Sequence, residues 1–228
     1  MADTPPVYGL LLRLTEDERR VVRDFDTPYK IQTFLDSLPY VHQDGISGTM
    51  RSFRGVVRDK EAHCFEGALT AAALLYLHGI SPLLLCMEAD DIDHNLAVYW
   101  CDGKVGSLGT SRQANLRGKP PAFSSYSELV TSYLPHYYDI RTGDHNALTL
   151  RGFAVVDLRI FGDGWITQAS DLRDIERYLY TLPYQAIVTF TTPTGVVKTG
   201  EFYYSPPHGK PVKDNVVFPS LSSFGESP

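Results

Sequence analysis

The sequence predicts an α+β fold, with helices gathered in its first third and antiparallel strands following. Three observations lead there. Thr15-Glu16-Asp17-Glu18 and Thr27-Pro28 are helix-opening caps near the start of the chain. Residues 64–77 are Ala- and Leu-rich and close on His78-Gly79, a helix followed by a glycine cap. Beyond it, short apolar runs of strand length are joined by Asp102-Gly103, a strong tight-hairpin signal.

Taken in order, a Pro pair and an apolar run from Val7 to Leu14 precede the first cap. That capping box satisfies free N–H groups reciprocally and predicts a helix over 16–25. After Thr27-Pro28, Ile31, Phe34, Leu35 and Leu38 form one apolar stripe, and Pro39 stops the helix. A third helix is predicted at 52–58, with Gly55 inside it, and the fourth at 64–77. Strands are predicted at 82–87, 94–101 and 104–111, the last two joined by the Asp102-Gly103 turn. Ser125-x-x-Glu128 opens a helix toward Tyr138 with a break at Pro135. The last third carries a strand at 154–160, a helix at 171–182 and a hairpin around Pro193-Thr194-Gly195. Without an internal repeat, the 228 residues read as one domain over 1–205 and a Pro/Ser-rich tail over 206–228.

Composition narrows the function. Twenty-one Lys and Arg against 27 Asp and Glu give a net charge of −6. A nucleic-acid binder or a polybasic membrane-surface protein would show a basic excess, so neither partner is expected. The longest apolar stretch, Ala68 to Leu77, is about half the ~20 residues needed to cross a bilayer. The N-terminus has no basic start or apolar core of a signal peptide. Three cysteines are an odd number and too few for a disulfide scaffold, so a reduced, cytoplasmic location is expected. The run Asp90-Asp91-x-Asp93-His94 lacks EF-hand spacing and a second cluster, so it reads as a solvated acidic loop. Neither a metal nor a cofactor is expected. If the loop borders a pocket, it favours a cationic substrate.

Two residues can carry covalent chemistry. Cys64 stands where a helix begins, and a helix N-terminus lowers a thiol's pKa and offers N–H groups to an oxyanion. His94 opens a strand directly after the acidic loop, where an imidazole can take a thiol proton. Each alone has an ordinary explanation, a small buried hydrophobe and a hairpin-end histidine. Their joint order carries more: Cys at a helix start, glycine turn, strand, loop, His at a strand start, Asp-Gly hairpin, strand.

The segments Ala62-His63-Cys64-Phe65-Glu66-Gly67-Ala68, His78-Gly79-Ile80, Pro82-Leu83-Leu84-Leu85 and His94-Asn95-Leu96-Ala97-Val98 carry a resemblance. With the Asp102-Gly103 turn, residues 50–112 resemble the transglutaminase-like superfamily, whose fold is papain-like. A wider likeness to uncharacterised bacterial transglutaminase-like proteins extends over 28–183. The resemblance implies a nucleophile-bearing helix packed on an antiparallel sheet, with Cys64 as nucleophile and His94 as base.

The sequence departs from that pattern at the acid. A two-residue turn at Asp102-Gly103 sets His94 opposite Ser111, with Ser107 and Gly109 on the same face. The family's acid position falls on Gly109, so the imidazole's second nitrogen is expected to meet a serine hydroxyl, a backbone carbonyl or water. Ser111 is the candidate third member, with Ser107 beside it and Asp91 or Asp93 as competing acids. The oxyanion side-chain donor stays unassigned, Gln43 being upstream at an unconvincing spacing. His63 reads as a neighbour that faces solvent or tunes Cys64. Cys86 and Cys101 read as core, and Tyr133, Tyr137 and Tyr138 as a helix's aromatic core face.

Two functions follow from these residues. The first is thiol-dependent hydrolysis of, or acyl transfer from, a peptide or carboxamide through a Cys64–His94 pair and a thioester. The alternative is a catalytically silent domain that binds a peptide or partner protein in the same cleft, favoured by the absent acid.

Overall fold

Three of the early helices open on a hydroxyl that accepts from the backbone N–H three residues on. The computed structural model describes residues 6–41, 48–139 and 142–204; Gln43 and the tail from 206 lie outside the described residues. After α1 (Pro6–Leu12), α2 (Glu16–Asp24) is opened by the predicted capping box. Thr15 Oγ1 accepts from the Glu18 N–H at 3.2 Å, and the Glu18 carboxylate accepts from the Thr15 N–H at 2.7 Å. Thr27 caps α3 (Pro28–Ser37) and Ser52 caps α4 (Phe53–Asp59) in the same way. α1 overlaps the apolar run from Val7 to Leu14, for which the sequence predicts no element.

The fifth helix, α5 (Cys64–Leu77), is buried along nearly its whole length. Only Cys64 and Tyr76 keep partial exposure. A helix that is apolar all round belongs in the centre of a protein rather than on its surface. Its Ala-rich sequence lets α1, α3 and α4 pack closely against it on one side and the sheet on the other.

That sheet has six strands. In chain order they are β1 (Leu83–Ala89), β2 (His94–Cys101), β3 (Lys104–Leu108), β6 (Leu150–Asp157), β7 (Pro183–Ala186) and β10 (Phe202–Tyr204). In space they run β10-β7-β6-β1-β2-β3, and every neighbouring pair is antiparallel. Two small hairpins stand apart: β4 (Tyr138–Asp139) with β5 (Asp144–Leu148), and β8 (Phe190–Thr192) with β9 (Gly195–Val197). The fold is therefore α+β, with the Cys64-bearing helix packed on an antiparallel sheet.

Both faces of the sheet are covered. Leu84, Cys86, Ala97, Tyr99, Ala154 and Val156 join the core around α5. Their alternating neighbours Leu85, Met87, Leu96, Val98 and Phe153 join a second core with Leu129, Val130, Tyr133 and Tyr137. Double burial explains why these strands read as continuous apolar runs instead of alternating ones.

Some boundaries differ from those predicted, for local reasons. β3 ends at Leu108 rather than Ser111 because the backbone N–H and carbonyl of Gly109 bond the Gln32 side chain of α3, at 3.1 and 3.0 Å. The helix opened by Ser125 is α6 (Tyr126–Thr131); a 3-10 turn over Leu134–His136 and then β4 replace its predicted continuation. β6 begins at Leu150, and Leu158–Phe161 is a 3-10 turn rather than strand. The later helices are α7 (Gly164–Thr167) and α8 (Arg173–Leu179). Cys101 corrects the reading of that residue as core. It is exposed, because it closes β2 beside the hairpin turn, paired with Lys104 at the end of the sheet. Cys86 is buried as expected, and all three thiols are free.

Candidate functional site

Cys64 is the first residue of α5, so its thiol stands at the positive end of a 14-residue helix, and the residue keeps part of its surface exposed. Two imidazoles bear on it. Burial alone would raise the Cys64 thiol; hydrogen bonds with His63 and His94, and their charges, outweigh it and hold the thiol well below its ordinary value. Lowering a thiol's pKa favours its reactive thiolate form.

His94 opens β2 and is buried. Its Nε2 lies 2.8 Å from the Leu116 carbonyl oxygen. A carbonyl only accepts, so Nε2 carries the proton in that bond, and Nδ1 is the nitrogen left for Cys64. The partner of the second nitrogen is thus a backbone carbonyl.

Ser111 does not fill the role expected of it. The hairpin keeps the expected register through Ala97 opposite Leu108, where β3 ends three residues short of Ser111. The Ser111 hydroxyl accepts from the Gln113 N–H at 3.2 Å, and the Arg117 guanidinium bonds the Ser111 carbonyl at 3.1 Å. Ser111 therefore braces the 3-10 turn Ala114–Leu116 that presents the carbonyl to His94. Ser107 is also elsewhere, bonded to the Tyr133 hydroxyl and the Lys119 N–H. At Gly109 a Cβ would lie 2.5 Å from Leu96 Cδ2, so a side chain there would require the end of Leu96 to shift.

The competing acid Asp93 is committed to its own loop, where Oδ1 accepts from the Ala89 N–H at 3.1 Å. Burial, then repulsion from Glu88 and Cys64, push its carboxyl up to about 7, against the Ala89 hydrogen bond. A carboxyl half protonated at neutral pH is a weak partner for an imidazolium.

Two contributors had no signal in the sequence. Tyr40 forms a single parallel bridge with Ala62. The Ala62 N–H donates to the Pro39 carbonyl and the Val41 N–H to the Ala62 carbonyl, each at 3.2 Å. This bridge brings the Tyr40 hydroxyl to the Cys64 thiol and backbone N–H; burial and the thiolate's charge push its pKa up. A tyrosine just after a proline-stopped helix carries no mark of such a long-range contact. Leu116 acts through its backbone, which side-chain patterns do not report.

His63 departs from the solvent-facing reading, being buried with 3% of its surface exposed. Its Nε2 lies 2.7 Å from the Thr49 carbonyl and 3.4 Å from Glu66 Oε1. Burial alone would lower His63; hydrogen bonds with Cys64 and Glu66 override it and raise it to about 10. Glu66 is wholly buried and accepts from the Thr49 hydroxyl, the Arg51 N–H and the His63 N–H at 2.8, 2.8 and 3.3 Å. Its carboxyl is lowered: burial opposes ionisation, and His63 and these donors outweigh it.

No family model matches the chain, and no curated protein matches it. Among solved structures it is similar to LapG of Legionella pneumophila in three forms. The calcium-bound form is 15% identical at a TM-score of 0.32, covering 45% of this chain and 68% of that one. A second LapG structure is 10% identical at 0.37, covering 69% and 91%. The EGTA-treated form is 13% identical at 0.35, covering 70% and 91%. At these values the likeness assigns neither activity nor substrate, and the functional reading rests on the site itself.

Proposed function

We propose that this chain is a transglutaminase-like thiol enzyme that cleaves a peptide or carboxamide bond through Cys64 and His94. One observation carries the reading: a partly exposed thiol at the start of α5 meets an imidazole whose far nitrogen is fixed on the Leu116 carbonyl. In the reaction, the thiol proton passes to His94 and the sulfur bonds the substrate carbonyl carbon, placing charge on the carbonyl oxygen. The Cys64 N–H and the Tyr40 hydroxyl, which bonds the Cys64 thiol and backbone, are the donors this reading assigns to that charge. Collapse breaks the C–N bond, and the leaving amine takes the proton from His94. Water, or an acceptor amine, gives its proton to His94 and attacks the thioester, which expels the thiolate.

A carbonyl in the place of an aspartate orients the imidazole but puts no full charge beside it. Loss of the orienting carboxylate can cost on the order of 10⁴ in rate in a Ser–His–Asp enzyme. That observation favours a second reading, a cleft that binds a peptide without turning it over. The two separate in one experiment. The protein is incubated with a mixed peptide library at pH 7, new termini are read by mass spectrometry, and intact protein is searched for an acyl adduct on Cys64. New termini from the wild type, absent with Cys64→Ala and His94→Asn, are expected. Library peptides retained but left uncut, with no adduct, would establish the binding reading instead.

A further inference from the structure

The carboxylate missing beside His94 has a counterpart on the other flank of the thiol. His63 directly precedes Cys64, at the cap position of α5. Ser, Thr, Asp and Asn serve best at such a position, and a histidine there gives up capping strength. Its ring is enclosed between the Thr49 carbonyl, the Glu66 carboxylate and the Cys64 thiol.

The charges around this ring do not balance without it. Arg51 pairs with Asp59, Glu61 and Glu66, and Arg58 also pairs with Asp59. Among the described residues, two guanidinium groups therefore face these three carboxylates. Glu66, the most deeply buried of the three, holds the guanidinium only at 3.3 Å. A cation at His63 completes the balance where the dielectric is lowest.

Resting on the thiol-enzyme reading above, we propose that Cys64 works between two imidazoles with separate tasks. His94, held by a neutral carbonyl, moves the proton; His63, held by Glu66, stays cationic and stabilises the thiolate. Glu66 is then a positioning residue that acts through His63. Among the described residues, the groups facing His63 are Cys64 and Glu66 of α5, Arg51 through Glu66, and Glu176 of α8 with Arg173 beside it. Glu176 itself is raised, chiefly by burial.

The test is the rate of Cys64 alkylation by iodoacetamide between pH 5 and 10, followed by mass spectrometry. Wild-type, His63→Asn, Glu66→Gln and His94→Asn proteins are compared at temperatures where each is folded. His63→Asn is expected to move the profile up by at least one pH unit, a tenfold slower reaction near pH 6.5. Glu66→Gln should move it the same way by less. A low wild-type profile that shifts only in His94→Asn would overturn the role of His63 and leave the thiol enzyme standing. A wild-type thiol titrating like a free cysteine, about 8.5, would overturn both. Should His63→Asn fail to fold, imidazole nitrogen NMR of the wild type decides. His63 protonated on both nitrogens from pH 6 to 8 supports the assignment, and a neutral ring at pH 7 contradicts it.

Discussion

His94 donates its Nε2–H to the Leu116 carbonyl, and this one bond decides which nitrogen serves Cys64. At the same scale, Asp93 makes a prediction about stability. Its folded value, about 7, lies above the ordinary 3.8, so the folded state holds the proton more tightly. That contribution is fully present below about pH 4 and is lost as pH rises through 7. Asn at position 93 never ionises and can still accept from the Ala89 N–H. Asp93→Asn should therefore raise the melting temperature at pH 8 by roughly ten degrees more than at pH 4, for about 4 kcal/mol. An equal difference at both pH values, measured by calorimetry, would contradict the burial argument. Of the residues at the site, Cys64 and His94 were legible because each stands at the first position of an element that the sequence marks. Tyr40 and Leu116 were not, since one arrives by a single long-range bridge and the other through its backbone.

The first turn of α5 is where the elements meet. A Cβ at Gly67 would lie 2.5 Å from Thr110 Cγ2, on a buried β-branched side chain that has little freedom to move. Gly67 thus lets the chain leaving β3 pass close to the helix start that holds Cys64. Gly67→Ala should cost about 1–3 kcal/mol as overpacking, despite alanine's better helix propensity, measurable by urea unfolding. A stabilised variant would mean that the approach of Thr110 is not tight. α5 and the β2–β3 turn were legible from composition and from Asp102-Gly103. The three-residue strand β10 and the four-residue helix α7 were not, because so few residues carry no period. The extent of β3 was missed for a different reason: its end is set by Gln32, a residue of another element.

Across the whole molecule, Glu88 ties the sheet together. Buried on β1, it pairs with Arg151 of β6 and accepts from the Tyr203 hydroxyl of β10 at 2.6 Å. Gly152 leaves the room for Tyr203 to reach across, since a Cβ there would lie 2.8 Å from its hydroxyl oxygen. Arg151→Met should destabilise the protein by about 3–5 kcal/mol by leaving a buried carboxylate without its cation. Glu88→Gln combined with Arg151→Met should recover part of that loss, and denaturant midpoints measure both. Among the described residues no helix is long and apolar enough to cross a membrane. The central claim concerns one thiol out of three, and the structure supplies its own control. Cys101 is exposed, Cys64 only partly so, and Cys86 buried. Accessibility alone would have Cys101 react first. The protein is treated with less than one equivalent of iodoacetamide at pH 6.5, digested, and the label located by mass spectrometry. The account predicts label on Cys64 ahead of Cys101, and loss of that preference in His94→Asn; label on Cys101 first in the folded wild type would contradict it.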